Sequence, residues 1–291
     1  MQTSKKSAFN SNLRIIIVCL VIILAGCLYW LYKSYISNPN DVFYGMISNN
    51  LNTKSYVVIN DSVQLSGSLI QKTLVNYGAK NIVISKETNN ISSASNSIQT
   101  LSIGTPSTDY SSYQKISVGK ISDNYSKVIG IWGVNSPTGV NGQGGQLFKS
   151  ASLTPFLFAS PSTSDTNRLM GFIKQNKVYN IKSSNVSKVD GRSVISYQIS
   201  INLKQYARLL NLYSSIMGYK GQTEPIKYTG SERAYIDISV GILSRQLIGL
   251  SFLGSSSVQI YSSYGINSPI KVPTKVISLQ QLKNEIASLS K

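Results

Sequence analysis

The chain contains no histidine, and its two cysteines, Cys19 and Cys27, both lie in an apolar run near the N-terminus. Ser-His-Asp and Cys-His nucleophilic catalysis are therefore excluded, as are the usual His/Cys zinc sites. Several strings imitate catalytic motifs. Ser112-Tyr113-Gln114-Lys115 and Ser117-Val118-Gly119-Lys120 match Ser-x-x-Lys, and Ser122-Asp123-Asn124 matches the second motif of penicillin-recognising enzymes. That chemistry needs Ser-x-x-Lys to open a helix, whereas 113–118 reads as a strand, and no Lys-Thr-Gly occurs. Gly139, Gly142, Gly144 and Gly145 suggest a phosphate cradle, but no Gly-Lys-Ser/Thr follows, so the segment reads as a mobile loop. The 11 acidic residues are scattered and offer no carboxylate pair for glycoside hydrolysis. Asn60, Asn90, Asn124 and Asn185 open Asn-x-Ser sequons, which matter only in a eukaryotic secretory pathway. No catalytic residue, cofactor or metal ligand is assigned, and the chain is expected not to be an enzyme.

Location is more legible than reaction. Residues 15–32 carry no charged side chain, and Lys5, Lys6 and Arg14 precede them. About 18 helical residues at 1.5 Å each span ~27 Å, close to the ~30 Å hydrocarbon core of a bilayer. The basic bias predicts a cytoplasmic tail over 1–14, a transmembrane signal anchor over 15–32, a short tether over 33–37 and an extracytoplasmic domain over 38–291. Tyr29, Trp30 and Tyr32 sit where aromatic rings favour the headgroup layer. Leu24-Ala25-Gly26-Cys27 also resembles a bacterial lipobox, which makes a lipoprotein acylated at Cys27 the alternative. The aromatic and apolar residues after Cys27, and an apolar run of spanning length, favour the uncleaved anchor. Both readings place the domain outside the membrane.

The external part holds no cysteine, so packing alone must stabilise it. Net charge is +17 with only 13% charged residues, and the lysines are dispersed. Such a surface suits anionic lipid or envelope polymer, or is simply a soluble surface with a basic bias. There is no concentrated patch or motif for nucleic acid.

Pro39 with Asn38 as cap predicts a helix bearing Val42, Phe43, Met46 and Ile47 on one face. Short β-favouring runs follow at 56–59, 69–77, 81–85, 98–103 and 113–118, with a polar loop at 89–96. Helices are expected at 146–153 and 165–174. Asp190-Gly191 marks a type I′ hairpin turn. Beyond it Ile195, Tyr197, Ile199 and Ile201 alternate with polar residues, as do Ala234, Ile236, Ile238 and Val240. Ile248, Leu250 and Phe252, then Val258 and Ile260, continue the apolar face. A helix over 203–217 carries Leu203, Tyr206, Leu210, Tyr213 and Met217, with Gly218 as its stop. A last helix over 278–289 is capped by Ser278. The fold class is α+β: one N-terminal transmembrane helix and an antiparallel, open half-barrel sheet covered by amphipathic helices. The apolar sheet face is either a sealed core or an incompletely filled concavity that binds an acyl chain. In the second case Ile195, Tyr197, Ile199, Ile201, Ile236, Ile238, Ile248, Leu250, Phe252, Val258 and Ile260 are the candidate ligand-binding residues.

The element order resembles the bacterial lipoprotein-carrier fold of periplasmic lipoprotein carriers and lipid-binding envelope lipoproteins. Ala234-Tyr235-Ile236-Asp237 with the turn Gly241-Ile242-Leu243-Ser244-Arg245 resembles that family's strand-turn-strand core. The stretch from Gln259-Ile260-Tyr261 to Ile270-Lys271-Val272-Pro273 resembles its final strand and exit. Ile103-Gly104-Thr105-Pro106-Ser107-Thr108-Asp109-Tyr110 also resembles a segment of uncharacterised membrane-anchored proteins of ultrasmall bacteria. The resemblance implies an open barrel of about eleven strands that binds lipid or a lipidated protein. It equally admits a sensory or structural envelope module, and it supplies no catalytic motif.

Overall fold

Alternation of β-branched and polar side chains carries the described strands into one sheet. The computed structural model describes residues 17–30, 38–64, 67–77, 82–91, 96–117, 122–135, 144–218, 230–266 and 270–289. The chain divides into two compact units, Met1–Tyr44 and Gly45–Lys291. In the first, 17–30 is helical (α1) with every side chain exposed. Among the described residues no helix is long and apolar enough to cross a membrane. Residues 15–16 and 31–32 of the anticipated span, the basic tail and the 33–37 tether lie outside the described residues. The helix α2 (Pro39–Asn50) begins at the anticipated proline, with the Asn38 carboxamide accepting the Asn40 N–H at 3.1 Å.

In the second unit, β1 (Ser55–Gln64), β2 (Gly67–Asn76), β3 (Ile82–Ile91), β4 (Ser97–Gly104), β5 (Asp109–Ser117) and β6 (Trp132–Asn135) form a meander. A second meander contains β7 (Tyr179–Val189), β8 (Arg192–Asn202), β9 (Arg233–Gly241), β10 (Leu247–Phe252) and β11 (Val258–Ser262). The two join where β1 pairs with β11, and the sheet order is β12-β6-β5-β4-β3-β2-β1-β11-β10-β9-β8-β7. The expected all-antiparallel sheet needs one correction: β12 (Ile277–Ser278) pairs parallel to β6. The loop expected at 89–96 is also shorter, because Asn89, Asn90 and Ile91 stay in β3. Ser112 and Lys115 both lie in β5, so no helix opens at that Ser-x-x-Lys string.

The hairpin turn is as expected, with Asp190 and Gly191 at φ 48° and 75°, the type I′ signature. The helix α4 (Thr163–Gln175) is capped by the Ser162 hydroxyl, which accepts the Asp165 N–H. Asn202 does the same for α5 (Leu203–Ile216), and Gly218 follows its end at φ 75°. The helix α6 (Leu279–Leu289) starts with the Ser278 hydroxyl accepting the Gln281 N–H. Its buried Leu282 joins Ile116, Tyr125 and Val128 in a cluster at the β5–β6 end of the sheet.

Gly144 and Gly145 form the turn that leads into α3 (Gln146–Ser152). Gly145 is its N-cap at φ 83°, and a Cβ there would lie 2.2 Å from the Pro106 carbonyl oxygen. Its role is therefore close approach and turn geometry; Gly139 and Gly142 lie outside the described residues.

Candidate binding face

Pairing registers divide the sheet's side chains into two faces. On one, Ile195, Tyr197, Ile199 and Ile201 of β8 stand beside Ile236 and Ile238 of β9 and Leu250 of β10. None of these seven is more than 3% exposed. The other four anticipated residues behave differently. A bulge between Leu247 and Gly249 places Leu247, fully buried, opposite Val240 and leaves Ile248 as the extra residue. Phe252 pairs with Ile236 near the rim and stays 40% exposed. Val258 and Ile260 face the opposite side of the sheet, exposed, because Gln259 aligns with Leu250 and Asn60. A strand of five residues can be read in either phase, and a one-residue slip exchanges its faces. On β11 the inward pair is Gln259 and Tyr261.

The cover over this face includes more than helices. Residues 153–161, between α3 and α4, form a strap without regular structure, in which Phe156, Leu157, Phe158 and Ala159 are buried. Phe158 stacks on Tyr56 of β1 with ring centroids 4.0 Å apart and on Tyr261 of β11 at 5.5 Å. Phe156 stacks on Tyr179 of β7 at 5.0 Å. In sheet order β7 and β1 are five intervals apart, which would be ~24 Å in a flat sheet. Two rings from residues two apart reach both, so the sheet curls around the strap.

An irregular buried segment must find partners for its carbonyls. Tyrosine hydroxyls supply them: Tyr179 donates to the Pro155 carbonyl at 2.7 Å and Tyr213 to the Phe158 carbonyl at 2.8 Å, while Tyr56 donates to the Ala151 carbonyl in the last turn of α3 at 3.1 Å. Tyr206 donates to the Thr154 carbonyl. The Ala159 N–H donates to the Asn50 carbonyl at 3.1 Å, tying the strap's far end to α2. Burial raises the pKa of Tyr56 and Tyr179 well above the ordinary phenol value and that of Tyr77 to about 12. The neighbouring Ser152, Tyr56 and Tyr213 hydroxyls act on Tyr77 in the opposite, lowering direction.

Beside the strap, under α3, lies a cavity of about 120 Å³. Tyr56, Val58, Leu147 and Tyr261 form its apolar walls, while Asn60, Gln71 and Gln259 present amides. The helix over it is fixed at both ends of its first turn. Asp109 accepts the Gln146 and Leu147 N–H groups at 2.8 and 3.2 Å, and Gly104 lets α3 approach so closely that a Cβ there would lie 2.9 Å from the Phe148 nitrogen. Burial raises the Asp109 pKa above its ordinary value, against the lowering pull of these amides. Sequence reasoning passed over the strap and the Asn60–Gln71–Gln259 group. The cluster of Phe156, Phe158 and Pro155 was its available signal.

These features define an open, curled, almost entirely antiparallel sheet whose interior is shared by helices and an aromatic strap. No family model matches the chain, and no curated protein matches it. Among solved structures it is similar to LprF from Mycobacterium bovis, at 12% identity over 82% of this chain and 99% of that one, with a TM-score of 0.37. A likeness of that size carries no argument about activity. None of the comparisons bears on a resemblance to proteins of ultrasmall bacteria.

Proposed function

We propose that this protein is a membrane-tethered, extracytoplasmic binding domain for a lipid or other amphiphile, not an enzyme. The single observation that carries the reading is the amphiphilic cavity under α3, where aromatic and aliphatic walls meet three amides. A cavity of about 120 Å³ is smaller than the ~300–1,000 Å³ usual for small-molecule sites. A longer chain therefore has to displace the strap, whose bonds to its surroundings run mostly through side-chain hydroxyls instead of a ladder. Tethering is supported by the uncharged stretch 15–32 and the basic residues before it, through a membrane helix or, alternatively, acylation at Cys27.

A second reading, a sensory or structural envelope module with a filled core, is favoured by one observation. Seven of the eleven anticipated lining residues are already sealed. Its basic surface would then meet an anionic envelope polymer. Photoactivatable fatty acid added to membranes containing the full chain separates the two. Labelling of Tyr56, Leu147, Tyr261 or the strap supports the carrier reading. Labelling confined to 15–32 abandons it in favour of the filled module.

A further inference from the structure

On the sheet's opposite face, across β7 to β11, lies an open groove of about 400 Å³, within the range of small-molecule sites. Its polar lining is ordered by register. Gln198, Asp237 and Ser251 stand in one row across β8, β9 and β10, and Ser239 and Gly249 stand in the next, with Asn185 of β7 at the side. We propose that this groove binds a neutral, polyhydroxylated chain, a glycan strand. The proposal is independent of the cavity on the inner face.

Three observations select that ligand class. First, amides and hydroxyls both donate and accept, as the hydroxyls of a sugar do, and Asp237 adds a strong acceptor. Among the described residues no hydrogen bond or ion pair occupies the Asp237 carboxylate. Second, the charge of the groove opposes that of the molecule. In a chain of net charge +17 its lining contains no lysine or arginine, and its one ionic group is a carboxylate. An anionic polymer would meet repulsion here, and an acyl chain would strand these polar groups without partners. Third, the floor is Gly249, a residue that weakens a strand interior and commonly marks a close approach. Its φ is not positive, and a Cβ would meet nothing closer than Ser239 Cβ at 3.9 Å and the Gln259 carbonyl at 4.0 Å. Neither backbone geometry nor packing demands glycine; a side chain would simply occupy the groove. Tyr235, two residues before Asp237 on the same face of β9 and 43% exposed, places an aromatic ring beside the groove's end.

The test is titration of the full chain in detergent micelles with cellohexaose, maltohexaose and N-acetylchitohexaose, with dextran sulfate as the polyanion. Saturable binding of at least one neutral hexasaccharide is expected. Affinity should fall at least tenfold in Gly249→Leu and in the doubly substituted Gln198→Ala/Asp237→Ala, with near-ultraviolet dichroism of the buried tyrosines unchanged. The double variant decides the matter if Gly249→Leu perturbs folding, because its sites lie on the open face. Binding of none of the three hexasaccharides, binding of dextran sulfate alone, or undiminished affinity in the double variant would overturn the proposal.

Discussion

Tyr213→Phe is the sharpest probe of how the strap is held. The Tyr213 ring is fully buried, and phenylalanine keeps its volume, so the change removes one oxygen and little packing. What is lost is the donor at 2.8 Å to the Phe158 carbonyl, in the middle of a segment with no ladder partner. Leaving a buried acceptor without its donor costs about 1–3 kcal/mol. With tenfold per 1.4 kcal/mol, strap opening should become about five- to 150-fold more frequent. Hydrogen–deuterium exchange of the full chain in micelles, followed peptide by peptide, reads this directly. Amides of 156–159 should exchange faster by that factor, while β8 and β9 keep their protection. Tyr179→Phe, which removes the donor to Pro155, should act on the same peptides, and the pair together should exceed either alone. Unchanged strap exchange in both single variants would refute the idea that tyrosine hydroxyls retain the strap. Equal loss of protection across the whole sheet would show that it does not open as a separate unit.

Other expectations follow from the same structure. An acid whose pKa is raised on folding contributes stability that is present below its unfolded pKa and lost as pH rises through the folded one. Asp109 is such a group, so the wild type should lose thermal stability relative to Asp109→Asn as pH rises from about 4 through the raised value. A gap independent of pH would contradict this. The same sign applies to tyrosine: ionisation of the buried cohort should coincide with alkaline unfolding between pH ~10 and about 12, where Tyr77 titrates. Absorbance at 295 nm showing all tyrosines ionising together near 10 in the folded chain would oppose it. Gly104→Ala must push α3 away from β4 and should cost about 1–3 kcal/mol in urea unfolding of the full chain. Intact-mass analysis distinguishes the two proposed tethers, since an uncleaved chain would retain residues 1–26 and an acylated one would begin at Cys27.

The parts of the fold governed by local chemistry were legible from residues alone. Asp190-Gly191 requires its turn, Ser278 caps its helix, and β8 has a single apolar phase, so its inward residues could be named. The rest depended on partners distant in sequence. Whether Val258 and Ile260 or Gln259 and Tyr261 face inward is settled by pairing with β1, about two hundred residues earlier in the chain. The bulge that exchanges Ile248 for Leu247 leaves no mark in hydrophobic period. The strap was the least legible element, because aromatic residues without periodicity resemble a loop until the tyrosines that receive them are in place. The outer groove is set by register between four serine-bearing strands, none of which is distinctive by itself.

The seam between the two meanders has a consequence for biogenesis. If the chain emerges across a membrane from its N-terminus, β1 through β6 arrive first and can zip together, yet β1 waits for β11 with its outer edge bare. Such an edge invites pairing with any neighbouring chain. No disulfide can hold the early half in reserve, because both cysteines lie within α1. Premature termination anywhere before β11 should therefore yield a sticky, aggregation-prone fragment instead of a smaller stable domain, and nascent copies will depend on holdase chaperones during that interval.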